Sequence, residues 1–509
     1  MSGRAAAADR RIGGPRMGAG AVLLVALVVL CGGGAVSAQR AELATAPVEV
    51  DHWAYAALDR LAAAGLLEEE WAPGRRPQPA GVMMEALREA SRRAKKRSSP
   101  LDAFAAASVD RFGGEFPQLG ADGGAGRSSA AARRSVMAGA VAGGPGLPER
   151  SWVLGYDLSA SVDRHLAIRY GSAVSFGPDA DASPGPSSIA VVGRLGGWWV
   201  SAGRQRVGFG PGTGGLVLND AASFDGVLAG TGEPLRLGGP GRWLGPVHVR
   251  ALASRIPADT VGAAAWFGAM RVTLEPHPRI RVGLNRTLVV ARRVGDHSPT
   301  FADLLRIAVG KHTQPNFEDQ RASIDATVLL GTGEWRMASY LEWGIEDTAG
   351  AHFEDPALTV GAFVPHLPGL SRLSARYEYT AFGEAARVCG FCDAQRRNWY
   401  RHSGVRPAYV AGGGRLIGHP LGGYGHEHRV EAAAWLGGAR ARIEALYAAR
   451  AREPGNLLYA ERPGRSRAAA LRTVYRLGRS LTLDGGVWRE TGEAGWTDAS
   501  ARVAARVLF

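Results

Sequence analysis

The sequence predicts an all-β fold: a transmembrane antiparallel β-barrel of about 18 strands preceded by a small N-terminal α-helical segment on the periplasmic side. Three observations carry this reading. The N-terminus has the form of an export signal, most of the chain alternates apolar and polar residues with a period of two, and short turns alternate with long links.

Arg4, Arg10, Arg11 and Arg16 precede an apolar run from Ala19 to Leu30, and Val36-Ser37-Ala38 supplies small residues for cleavage. Residues 1–38 therefore read as a signal peptide. The run is shorter than the ~20 apolar residues a spanning helix needs. At Cys31, Leu30 stands where a lipidation site needs a small residue, which argues against lipid anchoring. After processing only Cys389 and Cys392 remain, so no disulfide framework holds the fold. The net charge of +13 stays strongly positive without the leader. Such a surface suits acidic glycans or anionic lipid headgroups, and export makes nucleic acid a poor partner.

Residues 39–97 read as a helical segment. Asp51 is a candidate cap, Trp53, Ala57, Leu58 and Leu61 share one face, and Gly65 is a stop. A second helical run, Val82 to Ala90, places Met83, Met84 and Leu87 against the first. The pair resembles a single S-layer-homology motif, which implies peptidoglycan or wall polymer as a possible partner; packing on the barrel is the alternative. Ala, Gly, Ser, Arg and Pro dominate the chain from Ser91, and residues 98–133 are expected to be a flexible linker.

Residues 134–509 read as the barrel. Leu166, Ile168 and Tyr170 oppose His165, Ala167 and Arg169; Ile280, Val282 and Leu284 oppose Arg279, Arg281 and Asn285. Ile443 opposes Arg442 and Glu444, and Leu483 and Val487 oppose Asp484. Arginine recurs on the second face, as a wet lumen allows. Tight turns fall at 275–278, 331–334, 437–438 and 478–480. Long links fall at 291–321, 343–358, 381–428, 451–468 and 490–500. Val503, Ala505, Val507 and Phe509 end the chain on one face, and a terminal aromatic resembles the signal read by barrel-assembly machinery. About 17 candidate strands can be counted, and the even number usual for such barrels places a missed one in 210–245, where Leu216-Val217-Leu218 is the clearest run.

The stretch Gly203-Arg204-Gln205-Arg206-Val207-Gly208-Phe209-Gly210-Pro211-Gly212, continuing to Asn219-Asp220, resembles the capsule-assembly Wzi family. Phe267 to Gly283, Asn316 to Gln320, Tyr340 to Asp347, and Trp399-Tyr400-Arg401-His402 leading to Gly418-His419-Pro420-Leu421-Gly422 follow in the same order. The resemblance implies an outer-membrane barrel of about eighteen strands, closed by periplasmic helices, that attaches capsular polysaccharide in a lectin-like way.

Gly208, Gly210, Pro211, Gly212 and Asn219 read as a structural turn. Arg204 and Arg206 are expected to project into the lumen, where a guanidinium suits carboxylated sugars. Cys389 and Cys392 are expected to form a local disulfide that stiffens the loop bearing Arg397, Trp399, Tyr400, Arg401 and His402. These side chains suit sugar stacking and hydrogen bonding, with lipopolysaccharide contact as the alternative. His402, His419, His426 and His428 match no zinc spacing, and Ser403 beside His402 is adjacency without a triad, so neither metal, cofactor nor catalysis is expected. Two functions remain: attachment of acidic capsular or exopolysaccharide, or a porin passing anionic solutes through an Arg-lined lumen.

Overall fold

The computed structural model describes residues 44–67, 71, 73–119, 131–143, 150–163, 165–176, 185–258, 262–308, 310–311, 313–346, 354–383, 399–402, 405–411 and 415–509. The period-two alternation becomes eighteen long antiparallel strands. They are β1 (Ala131–Gly143), β2 (Arg150–Ser161), β3 (Leu166–Phe176), β4 (Gly185–Leu195), β5 (Trp198–Arg206) and β6 (Ser223–Thr231). Next come β7 (Pro246–Ile256), β8 (Ala265–His277), β9 (Ile280–Ala291), β10 (Glu318–Thr332), β11 (Trp335–Glu346) and β12 (Glu354–Val364). The set ends with β13 (Leu373–Phe382), β14 (Gly425–Leu436), β15 (Ala441–Arg452), β16 (Gly464–Leu477), β17 (Leu481–Gly492) and β18 (Thr497–Leu508). Neighbours in sequence pair with each other, and the two residues Leu235–Arg236 add a short pairing to β7. β18 returns to β1, with Ser135 opposite Leu508 and Gly143 opposite Ser500, so the sheet closes without an edge. Closure satisfies every ladder group inside lipid, which an open sheet cannot do.

The predicted faces separate as expected. Leu166, Ile168, Tyr170, Leu284, Ile443, Leu483 and Val487 are exposed on the outer wall, whereas Ala167 and Arg169 between them are buried inside. The tight turns gather at one mouth; at the link between β10 and β11, Gly333 supplies the positive φ of +60° that a two-residue hairpin favours. The missed strand is β6. Leu216, Val217 and Leu218 are instead buried in the loop before it, because that loop turns into the lumen.

Three helices occupy the mouth with the tight turns: α1 (Trp53–Ala63), α2 (Ala80–Lys96) and α3 (Asp102–Glu115). His52, not Asp51, caps α1, its Nδ1 accepting from the Ala54 amide at 3.3 Å. Gly65, at φ +67°, ends it. α2 runs past Ala90 through the basic stretch, where Arg92 and Arg93 pair with Glu89 one turn back. The flexible linker expected at 98–133 is corrected at both described ends: α3 lies at its start, with Phe104, Ala105, Ser108, Phe112 and Glu115 buried along one face, β1 begins at Ala131, and residues 120–130 lie outside the described residues. Alanine and glycine gave this segment the composition of a linker, but Phe104 and Phe112 of α3 fall two turns apart. The three helices share one apolar cluster that takes in Trp435 and Ala439 of the β14–β15 turn, and Phe104 meets Trp435 edge-on at 5.0 Å.

A buried charge lies within that cluster. Glu115 accepts from the Trp53 indole at 2.9 Å, pairs with Arg111 at 3.2 Å, and meets His52 Nε2 at 2.8 Å. Because His52 Nδ1 accepts from the backbone, Nε2 carries the proton and donates to the carboxylate. Burial pushes the imidazole below its ordinary 6.5 and keeps it neutral. Burial alone would raise Glu115, but His52, Arg111 and Arg133 outweigh it and hold the carboxyl far below its ordinary 4.5. The unfolded helices therefore take up protons that the folded ones do not. Their stability is full above pH 6.5, falls as His52 must charge below that, and falls further below 4.5 as Glu115 protonates on unfolding. Relative to the intrinsic amide rate at each pH, hydrogen exchange of α1 and α3 is expected to accelerate between pH 7.5 and pH 5 while the strands stay protected, tested by mass spectrometry in detergent. Glu115→Ala, which strands Arg111 and the indole, is expected to cost about 3–5 kcal/mol and to give this faster exchange already at neutral pH.

Candidate functional site

The glycine-rich stretch between β5 and β6 enters the lumen from the mouth with the long links, and residues 73–78 enter from the helical mouth. They meet as a two-stranded ribbon, Arg75 opposite Phe209 and Arg76 opposite Gly208. The backbones approach so closely that a Cβ on Gly74 would lie 2.1 Å from the Gly210 carbonyl. Two inward carboxylates grip the loop. Glu378 accepts from the Thr213 amide at 2.9 Å, the Thr213 hydroxyl at 2.7 Å and the Tyr340 hydroxyl at 2.8 Å. Glu342 accepts from Ser323 at 2.7 Å and from the Leu216 amide at 3.3 Å. A Cβ on Gly212 would stand 2.7 Å from Glu378 Oε2, and one on Gly210 the same distance from Glu342 Oε2, so these glycines make room for the carboxylates.

A third layer comes from the long link between β13 and β14. Tyr400 donates to the Leu216 carbonyl at 2.6 Å and accepts from the His419 amide at 2.8 Å; Asn219 donates to the Gly418 carbonyl. Arg321 lies over the Tyr409 ring at 4.0 Å and pairs with Asp319 at 2.9 Å. Between the helices and the wall a cavity of about 200 Å³ remains, lined by Asp51, Arg76, Arg376, Glu431 and Arg472 among others.

The predicted sites distribute unevenly. Gly208, Gly210, Pro211, Gly212 and Asn219 form the ribbon and loop, as a structural turn. Of the two arginines expected in the lumen, Arg206 turns inward at its strand end, donating to the Asp220 carbonyl at 2.7 Å and lying 3.3 Å from Asp51. Arg204 does not. Its register partners are the exposed Ile189 and Asp225, so it faces outward and holds Asp225 bidentately at 2.6 and 2.7 Å. Trp399 and Tyr400, expected to stack on sugar, are fully buried, because their link dips inward and its rings cover the glycine loop. Arg401 and His402 are half-buried at the top of that layer. Arg397, Cys389 and Cys392 lie outside the described residues.

The Arg-lined path of the porin alternative meets carboxylates inside the barrel. Several inward arginines are matched by carboxylates: Arg271 with Asp325, Arg450 with Glu427 and Glu490, Arg429 with Glu431, Arg472 with Asp484. Sequence reasoning passed over Glu342 and Glu378, although each sits at a period-two inward position flanked by lipid-facing residues.

The family model for "Capsule assembly protein Wzi" matches residues 189–500. No curated protein matches the chain by sequence. Among solved structures, the fold is similar to an Escherichia coli protein described as Wzi, an outer membrane protein involved in group 1 capsule assembly and a carbohydrate binding β-barrel. The TM-score is 0.71 at 17% identity, over 91% of this chain and 99% of that one. OccK5 (OpdH) of Pseudomonas aeruginosa aligns at TM-score 0.47 and 9% identity over 74% of this chain and 97% of its own. With the model spanning more than half of its length, this chain belongs to the capsule assembly protein Wzi family.

Proposed function

We propose that this barrel binds surface polysaccharide at the outer face of the membrane and keeps it attached to the cell, without converting it chemically and without serving as a solute pore. The observation that carries this reading is the filled lumen: ribbon, glycine loop and buried aromatic layer are stacked across it, each held by hydrogen bonds to the wall, from Arg250 to Pro77, from Thr213 to Glu378 and from Tyr409 to Asp319. A barrel filled in this way offers a polymer its outer links rather than a channel. The similar Escherichia coli structure, described as carbohydrate binding, supports the same reading. The net charge of +13 favours an acidic polymer, and Arg397, Arg401 and His402 are the candidate contacts.

A strain lacking the protein is expected to lose cell-bound polysaccharide while releasing it into the medium at undiminished total yield. Equal cell-bound polysaccharide with and without the protein would refute attachment. Purified protein in planar bilayers is expected to show no steady conductance, and a steady anion current would restore the porin reading. Glu378→Ala removes one acceptor from three donors, each costing about 1–3 kcal/mol when left buried and unpaired. This variant is expected to retain the barrel by circular dichroism yet give intermittent current as the glycine loop loosens.

A further inference from the structure

The outward face of β5 to β9 departs from the apolar rule of a lipid-facing wall. Arg204 stands opposite Asp225, Asp225 opposite Arg255, Arg255 opposite Trp266, and Trp266 opposite Val290. With strands about 4.8 Å apart, this is one continuous row around the barrel. It lies at the strand ends away from the tight turns, and it shares its face with the exposed Ile189, Met270 and Leu284.

The link after β9 folds back over this row. Its helix α4 (Phe301–Ala308) rests against the outside of the wall, with Ile307 buried against Val290 and packed on Trp266 and Leu288. Arg286, also outward, donates to the Ile307 carbonyl at 2.8 Å and fixes the helix there. Phe301 and Leu305 are left 54% and 40% exposed. The Arg292 guanidinium lies 5.7 Å over the Trp266 ring. Arg255, Arg292 and Arg306 are exposed, and Arg255 has no ion-pair partner among the described residues. Among the described residues, Asp225 is committed to Arg204, and Asp303 to the Thr300 amide and hydroxyl that open α4.

Guanidinium groups on a lipid-facing wall are costly unless they meet anionic headgroups, and here they surround an interfacial tryptophan and exposed apolar side chains of a short helix. We infer that Arg255, Arg292 and Arg306, with Trp266 and α4, form a binding site for a phosphate-bearing glycolipid of the outer leaflet. The guanidiniums take the phosphates, and Phe301 and Leu305 lie against the acyl chains. This site is separate from the candidate polysaccharide contacts, which lie in the β13–β14 link rather than on β7, β8 and the link after β9.

The test is native mass spectrometry of the folded, detergent-purified protein titrated with bisphosphorylated lipid A, its dephosphorylated form, and phosphatidylglycerol. Bisphosphorylated lipid A is expected to bind at least tenfold more tightly than the other two. Arg255→Ala/Arg292→Ala is expected to lose about tenfold of that affinity, and the double lysine variant to keep most of it. Heat-dependent electrophoretic mobility shows whether each variant is folded, and single Arg255→Ala serves if the double variant is not. Equal binding of the phosphorylated and dephosphorylated forms, equal binding of phosphatidylglycerol, or affinity unchanged in the folded variants would each overturn the inference.

Discussion

The structure depends on arginines of the barrel wall that donate to backbone carbonyls of the segments inside it. Arg169 holds the Pro47 carbonyl at 2.6 Å, Arg250 holds Pro77 at 2.6 Å, Arg281 holds Leu67 at 3.1 Å, Arg336 holds Ala64 at 2.8 Å and Arg476 holds Arg111 at 3.1 Å. A helical segment that closes a barrel mouth ends its helices and turns away from water, and its last carbonyls have no partner within the segment. A long side chain with five donors reaches them from the wall without moving the strand that carries it. Arg60 does the same in reverse, donating from α1 to the Pro365 carbonyl of the β12–β13 turn at 2.7 Å.

That constraint explains the pairing of lumenal charges. A wall rich in inward arginine cannot stay unneutralised in a filled, poorly hydrated interior. Several clusters therefore carry acids from neighbouring strands, as where Asp325 on β10 meets Arg271 on β8 with Asn285 of β9 between them. The acids left over do mechanical work on backbone amides and hydroxyls, and Glu378 and Glu342 use them to hold the glycine loop. Only residues without side chains fit beneath those carboxylates at 210 and 212, while a Cβ would run into Asp220 at Gly208, His419 at Gly214 and the Phe209 carbonyl at Gly215.

How much of this was legible in the sequence follows from what each signal reports. Period-two alternation reports a wall with two environments, and Leu166-Ala167-Ile168-Arg169 assigned both faces correctly. Turn lengths reported which mouth is which. Alternation does not report what fills a lumen, so an inward arginine looked the same whether it awaited a sugar acid or already held a carboxylate. Trp399 and Tyr400 failed for a related reason. An aromatic pair in a long link suggests a ligand platform when the link is assumed to point away from the barrel, and only the inward course of this one turns the pair into packing. α3 was hidden by composition, since alanine supplies helix propensity without the bulk that marks an amphipathic face.

Neutral pairing inside the barrel also shifts where the protein's charge can act. Matched pairs such as Arg429 and Glu431 cancel at short range and leave little field beyond the wall, and the intervening protein and salt screen what remains. Part of the excess of arginine over acid expressed in the net charge of +13 is then felt at Arg255, Arg292 and Arg306, which are exposed on the outward side of the rim. A basic composition that first suggested an anion path through the barrel is better understood as two separate uses of one residue type. Inside, arginine is a rigid hydrogen-bond donor, paired with an acid as at Arg271 and Asp325 or held on backbone carbonyls as at Arg250; at the rim, contact with anionic headgroups or acidic polymer is the interaction left open to it.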